Sequence, residues 1–212
     1  MKVIRTEAEW KPIWSEIFKE NKQLGFVPTM GALHQGHLDL VTQSIATMDF
    51  TVVSIFVNPT QFNSSADFQK YPQTLDADLG LLEAVGADFV FVPSVATLYP
   101  QPTHLRFDFG DLELVLEGAC RPGHFNGVGL VVSKLFHLIQ PTRAFFGQKD
   151  YQQCLIVQEL INRHFPKITF NIFIILFESI FEKFPKKSGN KKIITKKILR
   201  SNFSFYIDLM KI

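Results

Sequence analysis

Apolar runs and amphipathic stretches alternate along the chain. Residues 24–27 and the β-branched run 51–57 are uninterrupted, which is typical of strands covered on both faces. The apolar residues of 75–85 repeat at helical spacing, and residues 88–92 predict the next strand, which Pro93 ends. This order predicts an α/β fold with a Rossmann-like parallel sheet and helices on both faces.

The second half of the chain is patterned less regularly. Residues 105–109 alternate between apolar and charged side chains and predict an edge strand. Residues 128–139 predict an apolar helix, residues 144–146 a short strand and residues 151–163 a further helix. The parallel sheet is therefore expected to continue through this half.

Two histidines lie where the first buried strand gives way to a helix, in the segment Pro28-Thr29-Met30-Gly31-Ala32-Leu33-His34-Gln35-Gly36-His37. At such a corner, unpaired backbone N–H groups and the positive end of the helix dipole favour phosphate. Gly31 and Gly36 let the backbone approach a ligand closely, and the imidazoles can donate hydrogen bonds to a polyphosphate. We therefore predict a phosphate site at this corner.

The residues of this corner leave other interpretations open. It could be an ordinary turn that carries two surface histidines. A zinc site is disfavoured, because no ligand cluster accompanies His34 and His37. The remaining histidines are scattered along the chain at His104, His124, His137 and His164. We expect no metal ion held by protein ligands.

Two further segments are expected beside the histidine corner. Gln61 follows the predicted strand 51–57, and residues 147–150 again connect a strand to a helix. Ligands of parallel α/β sheets bind at the carboxyl ends of the strands, so His34, His37 and Gln61 should share one crevice.

Composition narrows the class of protein. The chain has 212 residues, of which 46% are hydrophobic, and this is enough for a sizeable core. Two isolated cysteines, Cys120 and Cys154, fit reduced thiols, and with no secretory signal we expect a cytoplasmic location. The longest apolar run, residues 172–177, is too short to span a membrane. No nucleic-acid-binding motif is recognisable, so we expect neither a membrane nor a nucleic-acid partner.

Four segments together closely resemble the pantothenate synthetase (pantoate–β-alanine ligase) family of the nucleotidylyltransferase superfamily. They are His34-Gln35-Gly36-His37, Phe56-Val57-Asn58-Pro59-Thr60-Gln61-Phe62, Arg121-Pro122-Gly123-His124-Phe125-Asn126-Gly127-Val128 and Phe146-Gly147-Gln148-Lys149-Asp150-Tyr151-Gln152-Gln153. The resemblance extends from about Val3 to about Phe170. It implies that pantoate attacks ATP to give pantoyl adenylate, from which β-alanine then displaces AMP.

The resemblance also implies roles for individual residues. His37 would be the proton donor, and His34 and Lys149 would act with it on the phosphates. Gln61 and Gln153 would bind pantoate, and Gln61 would also contact β-alanine. The ATP site would comprise Met30, Gly31, Ala32, Leu33, His34, Gln35, Gly36, His37, Gly147, Gln148, Lys149 and Asp150.

The same resemblance gives expectations about ions and assembly. Mg²⁺ would bind through the phosphates of ATP rather than through a protein cage. We also expect a homodimer. Gln148 stands where the family usually has glutamate, which removes one negative charge beside the nucleotide. Without the resemblance, Gln61 could cap a turn, Gln153 could be a solvated helix residue, and Lys149 and Asp150 could simply start an exposed helix.

The chain departs from the family near Ile172. Of residues 168–212, 25 of 45 are Ile, Phe or Lys, and the charge of this stretch is about +6. The family's Ser-Ser-Arg-Asn segment and smaller C-terminal domain are not recognisable there. We expect a nucleotide- and pantoate-binding domain at residues 1–170 and an atypical tail at 171–212. A reading-frame shift or a truncated gene would explain this tail, and a genuine lineage-specific extension is the alternative.

Three functions therefore remain open from the sequence. The first is the ligase, with turnover impaired by the altered C-terminal part. The second is a remnant that only binds nucleotide or pantoate weakly. The third is another nucleotidylyltransferase, against which the paired Gln61 and Gln153 motifs argue.

Overall fold

Six parallel strands form the centre of residues 1–173, the part of the chain that the computed structural model describes. They are β1 (Lys2–Ile4), β2 (Leu24–Thr29), β3 (Phe50–Ile55), β4 (Phe89–Phe91), β5 (Arg143–Gly147) and β6 (Thr169–Phe173). Their order across the sheet is β1-β4-β3-β2-β5-β6. Strand β2 pairs with β3 on one side and with β5 on the other. The chain therefore adds its strands in one direction from β2 in its first half and in the opposite direction in its second half. A ligand crevice is expected at this switch point.

Helices cover both faces of the sheet, as the sequence predicts. They are α1 (Glu7–Lys19), α2 (Gln35–Thr47), α3 (Ser65–Lys70), α4 (Leu75–Val85), α5 (Val95–Leu98), α6 (Leu116–Cys120), α7 (His124–Ile139) and α8 (Tyr151–His164). Side chains of α1, α7 and α8 bury one face of the sheet. Side chains of α2 and α4 bury the other face. The predicted class, a parallel sheet between two helical layers, is confirmed.

Short 3₁₀ helices follow two of the central strands. Pro59–Gln61 comes after β3, and Gln148–Asp150 comes after β5. A third 3₁₀ helix, Gly110–Glu113, lies in the long connection before α6. Because parallel strands end at one edge of a sheet, the first two of these turns lie on the same side as the histidine corner.

The prediction of an edge strand at residues 105–109 is wrong, because this segment is not part of the sheet. Its alternating pattern arises because it lies across helices α7 and α8. The rings of Phe107 and Phe109 stack with centroids 5.8 Å apart, and Phe109 is buried. Asn126 and Arg163 donate side-chain hydrogen bonds to the carbonyls of Phe107 and Asp108, at 2.9 and 3.0 Å. Side chains therefore take the place of strand partners.

Helix α7 begins four residues before the predicted start at residue 128. Gly127 and Gly129 weaken the helical pattern there, since glycine is a poor helix former. Both glycines are needed for close packing. A Cβ atom on Gly129 would lie 2.8 Å from Cζ of Phe109, and one on Gly127 would lie 2.8 Å from Cα of Gln61.

Strand β6 pairs with β5 from Thr169 to Phe173 and crosses the boundary that we expected between residues 170 and 171. The division into a domain at 1–170 and a tail at 171–212 stays a prediction. Most of that tail, residues 174–212, lies outside the described residues.

Candidate active site

The histidine corner follows β2 and opens helix α2. His34 is the N-cap residue, and its Nδ1 atom accepts a hydrogen bond from the backbone N–H of Gly36 at 3.1 Å. The Nδ1 atom of His37 accepts in turn from the backbone N–H of His34 at 3.3 Å. An accepting nitrogen carries no proton, so each neutral ring holds its proton on Nε2. The two ring centroids are 4.1 Å apart.

His37 is neutral at physiological pH. Burial is the main cause that lowers its pKa from 6.5 to about 4; the nearby His34 and Lys149 act in the same direction, and Asp78 acts in the opposite one. Strands β2 and β5 are paired neighbours in the sheet, so the corner after β5 lies beside the corner after β2, and the charge of Lys149 acts on His37. His37 therefore presents a neutral Nε2–H donor, and an anionic ligand would raise its pKa again.

Asp78 fixes the backbone of the histidine corner from helix α4. Its buried carboxylate accepts from the backbone N–H groups of Ala32 and Leu33 at 2.9 and 2.8 Å, and from the Thr74 hydroxyl at 3.1 Å. Gly31 and Ala32 have φ values of 80° and 51°, so the chain turns through the left-handed region here. The carboxylate holds a backbone conformation that Ala32 rarely adopts by itself.

The side chain of Gln61 is oriented by Asn58. The Asn58 Nδ2 group donates to Oε1 of Gln61 and to the Gly127 carbonyl, both at 3.1 Å. Oδ1 of Asn58 accepts from the Tyr99 hydroxyl at 2.8 Å. With its oxygen fixed, Gln61 turns its Nε2 donor toward Met30, whose sulfur lies 3.1 Å away. Gln61 and the histidine corner therefore meet at Met30.

The corner after β5 carries Lys149 and Asp150, both exposed, at the start of helix α8. Gln153 lies half-buried in the first turn of this helix. Its neighbour Gln152 is buried and makes three hydrogen bonds: it donates to the carbonyls of Leu112 and Val115 at 2.7 and 2.8 Å and accepts from the N–H of Glu117 at 3.0 Å. Gln152 thus ties the segment before α6 to the start of α8.

His124 opens helix α7 and is buried beneath Gln61. Its Nδ1 atom lies 2.9 Å from the Gln61 carbonyl oxygen, and its Nε2 atom lies 3.8 Å from Glu117. The motif that begins at Arg121 thus lies next to Gln61.

Sequence reasoning assigned no role to Asp78, Asn58, His124 or Gln152. For two of them a signal was present. Asp78 occupies the apolar face of α4, three residues after Leu75 and four before Leu82, and Gln152 occupies the buried face of α8, four residues before Ile156. A polar residue on an apolar helix face predicts a buried partner, although it does not identify that partner.

A cavity of about 240 Å³ lies beside the histidine corner, at the carboxyl ends of β3 and β4. Met30, Gly31 and Asp78 line it on one side, and Phe68, Val92 and Pro93 are among the residues that line the other. Two of the residues predicted for ATP therefore also border this apolar space.

Within residues 1–173, no group of three or more His, Cys, Asp and Glu side chains could hold a metal ion. In the same part of the chain, no helix is long and apolar enough to cross a bilayer.

Fold and site together define a nucleotidylyltransferase-like α/β domain with a histidine corner at its switch point. A family model described as pantoate-beta-alanine ligase matches residues 2–179, and the chain belongs to this family. The pantothenate synthetase of Phocaeicola vulgatus is 53% identical over 163 residues, which is 77% of this chain and 58% of that protein. The chain thus spans somewhat more than half the length of such relatives.

Solved structures agree with this membership. Pantoate-beta-alanine ligase from Francisella tularensis, complexed with beta-gamma ATP and beta-alanine, superimposes with a TM-score of 0.79 at 37% identity. The match covers 82% of this chain and 67% of that one. Pantothenate synthetase from Thermus thermophilus gives a TM-score of 0.78 at 40% identity, over 84% of this chain and 63% of that one.

Proposed function

We propose that the protein condenses pantoate with β-alanine at the expense of ATP. The observation that carries this proposal is the meeting of three segments at the edge of the sheet: the His34–His37 corner, Lys149 and Gln61. They combine phosphate donors with a carboxamide that suits a carboxylate and hydroxyl ligand. The complex of the Francisella relative with beta-gamma ATP and beta-alanine supports ATP and β-alanine as substrates for this crevice.

The ATP site is proposed from Met30 to His37 and from Gly147 to Asp150. His34 and His37 would donate through Nε2–H to the phosphates, and Lys149 would supply a point charge. The pKa of His37 would rise as the triphosphate enters, so that this residue could pass a proton to the departing pyrophosphate. Mg²⁺ would be held by phosphate oxygens and water.

Pantoate is proposed to lie between Gln61 and Gln153. In the first step its carboxylate oxygen bonds to the α-phosphorus of ATP, and the bond from that phosphorus to pyrophosphate breaks. In the second step the β-alanine nitrogen bonds to the acyl carbon, loses a proton, and AMP leaves with the C–O electron pair. The protein contributes no covalent intermediate, so positioning and charge stabilisation carry the catalysis. We also propose that the protein is cytoplasmic and forms a homodimer.

The test is the formation of pyrophosphate and AMP by the purified chain with ATP, magnesium, pantoate and β-alanine, each omitted in turn. The ligase is supported if pyrophosphate release requires pantoate and AMP release requires both pantoate and β-alanine. Nucleotide binding without pantoate-dependent pyrophosphate release would favour the binding-only alternative. Pyrophosphate release that does not require pantoate would favour a different nucleotidylyltransferase.

His34→Ala should weaken both nucleotide binding and release, and His164→Ala serves as the matched control. His164 is an exposed histidine at the far end of α8, and the 14 residues of this helix place it about 20 Å from Lys149. Equal loss in both variants would contradict the assignment of the histidine corner.

A further inference from the structure

The segment Arg121–Val128 belongs to the motifs of the sequence, but the proposed roles do not use it. We infer that His124 is a positioning residue, which holds Gln61 for pantoate. It also lies against helix α6, which Gln152 joins to the start of α8 beside Gln153. This inference rests on the proposed function, because it assumes that Gln61 and Gln153 contact the same substrate.

The first link is the hydrogen bond between His124 and Gln61. A carbonyl oxygen only accepts, so the contact at 2.9 Å requires the proton of His124 to lie on Nδ1. His124 is 4% exposed, so water cannot replace this donor without rearrangement. The ring has the opposite tautomer to His34 and His37 and serves the backbone of Gln61 rather than a ligand.

The second link is direct packing between helix α7 and the 3₁₀ helix Pro59–Gln61. Gly127 brings the two backbones together, since a Cβ atom there would collide with the Thr60 carbonyl. The Gly127 carbonyl also accepts from Asn58, which orients the Gln61 amide. The first turn of α7 therefore fixes Gln61 at both its backbone and its side chain.

The third link connects α7 to α8 through the short helix α6. The Glu117 carboxylate pairs with Arg121 and lies 3.8 Å from Nε2 of His124. Because Nε2 carries no proton in this tautomer, the two groups are neighbours without a hydrogen bond. The backbone N–H of Glu117 donates to Gln152, which is adjacent to Gln153. A series of neighbouring contacts thus runs from one proposed pantoate ligand to the other.

The protonation state of His124 fits this role. Burial lowers its pKa, and Arg121 lowers it as well, while the Gln61 carbonyl and Glu117 act in the opposite direction. The ring is therefore neutral near pH 7, with its single proton committed to Gln61.

The test compares His124→Asn with His124→Leu. Asparagine places an N–H donor where Nδ1 lies, and leucine has nearly the same size with no donor. We expect His124→Leu to raise the Kd for pantoate roughly tenfold, the scale of one lost hydrogen bond, and His124→Asn to change it less than about threefold. The Kd for ATP should stay unchanged in both, which a general loss of structure would not allow.

A second readout needs no ligand. In ¹⁵N-labelled protein, His124 should show a protonated Nδ1, and the side-chain amide of Gln61 should shift in His124→Leu and return in His124→Asn. Gln152→Met, which keeps the length but removes the amide, should shift the resonances of His124. A protein that binds no pantoate would refute the proposed function, and these spectra would still decide the positioning role.

Several results would overturn the inference. They are a proton on Nε2 of His124, wild-type pantoate affinity in His124→Leu, or equal losses for pantoate and ATP that asparagine does not restore. If His124→Leu does not fold, the tautomer and the Gln152→Met spectra decide the outcome.

Discussion

The carboxylate of Asp78 accepts a hydrogen bond from the backbone N–H of Leu33 at 2.8 Å, across 45 residues of sequence. Through this bond helix α4 holds the corner that carries His34 and His37. The proposed phosphate site therefore depends on a residue that need not touch the phosphate.

Replacing Asp78 with alanine should weaken both the fold and the nucleotide site. Two partly buried N–H groups lose their acceptor, which should lower the free energy of unfolding by about 2–4 kcal/mol. The loosened corner should raise the Kd for ATP by roughly 10- to 100-fold, a loss of about 1.4–2.8 kcal/mol. Urea unfolding and calorimetric titration measure the two effects.

Asp76→Ala is the control for this change, since Asp76 is exposed in the same helical turn. Its effect on the free energy of unfolding should stay within about 0.5 kcal/mol. Equal behaviour of the two variants would mean that Asp78 does not hold the corner.

His37 should make the stability of the fold depend on pH. Its pKa is about 4 in the folded protein and 6.5 in the unfolded chain, so the unfolded state binds more protons between these values. The contribution of His37 to the free energy of unfolding should therefore be fully present above pH 6.5. It should fall by up to about 3 kcal/mol as the pH decreases to 4. Urea unfolding at several pH values should show a flatter profile for His37→Asn than for the wild type. Parallel profiles would contradict the lowered pKa of the half-buried His37 ring.

The proposed chemistry uses the Nε2–H group of His37. His37→Ala should lower pantoate-dependent pyrophosphate release by roughly 10²–10³, the scale of one lost charge-stabilising donor. His37→Gln can place an N–H near the same position and should retain more activity than alanine. Unchanged release in His37→Ala would remove this residue from the mechanism.

Secondary structure was predictable where local pattern and tertiary packing agree. Residues 75–85 form α4 with the predicted bounds, because their apolar spacing ends at Gly86, whose φ of 86° stops the helix. The prediction of a strand at residues 105–109 was wrong, because apolar and charged residues also alternate in a loop that lies on two helices. The predicted start of α7 was wrong, because Gly127, which allows close packing against Gln61, lowers the local helix propensity.

The candidate site was predictable only in part for the same reason. The motifs located His34, His37, Gln61 and Lys149, whose positions after strands follow from chain order. The residues that orient them, Asp78 among them, act through contacts between distant segments. Such contacts are not visible in a local pattern.

Gly127→Ala should disturb the pantoate side of the crevice. The added Cβ would force the Pro59–Gln61 turn away from α7, at a cost of about 1–3 kcal/mol in the free energy of unfolding. The Kd for pantoate should rise more than that for ATP. Gly80→Ala is the control: nothing lies within 4 Å of its new Cβ on α4, so it should stabilise the fold by about 0.5–1 kcal/mol. Similar effects of the two changes would contradict the close packing of α7.

The most direct test of the proposed crevice is a crossed calorimetric titration of the wild type, Gln153→Ala and His34→Ala with pantoate and with ATP. Gln153→Ala should raise the Kd for pantoate while that for ATP stays near the wild-type value, and His34→Ala should do the reverse. Selective loss of ATP affinity in Gln153→Ala, or wild-type affinity for both ligands in both variants, would contradict the placement of the two substrates.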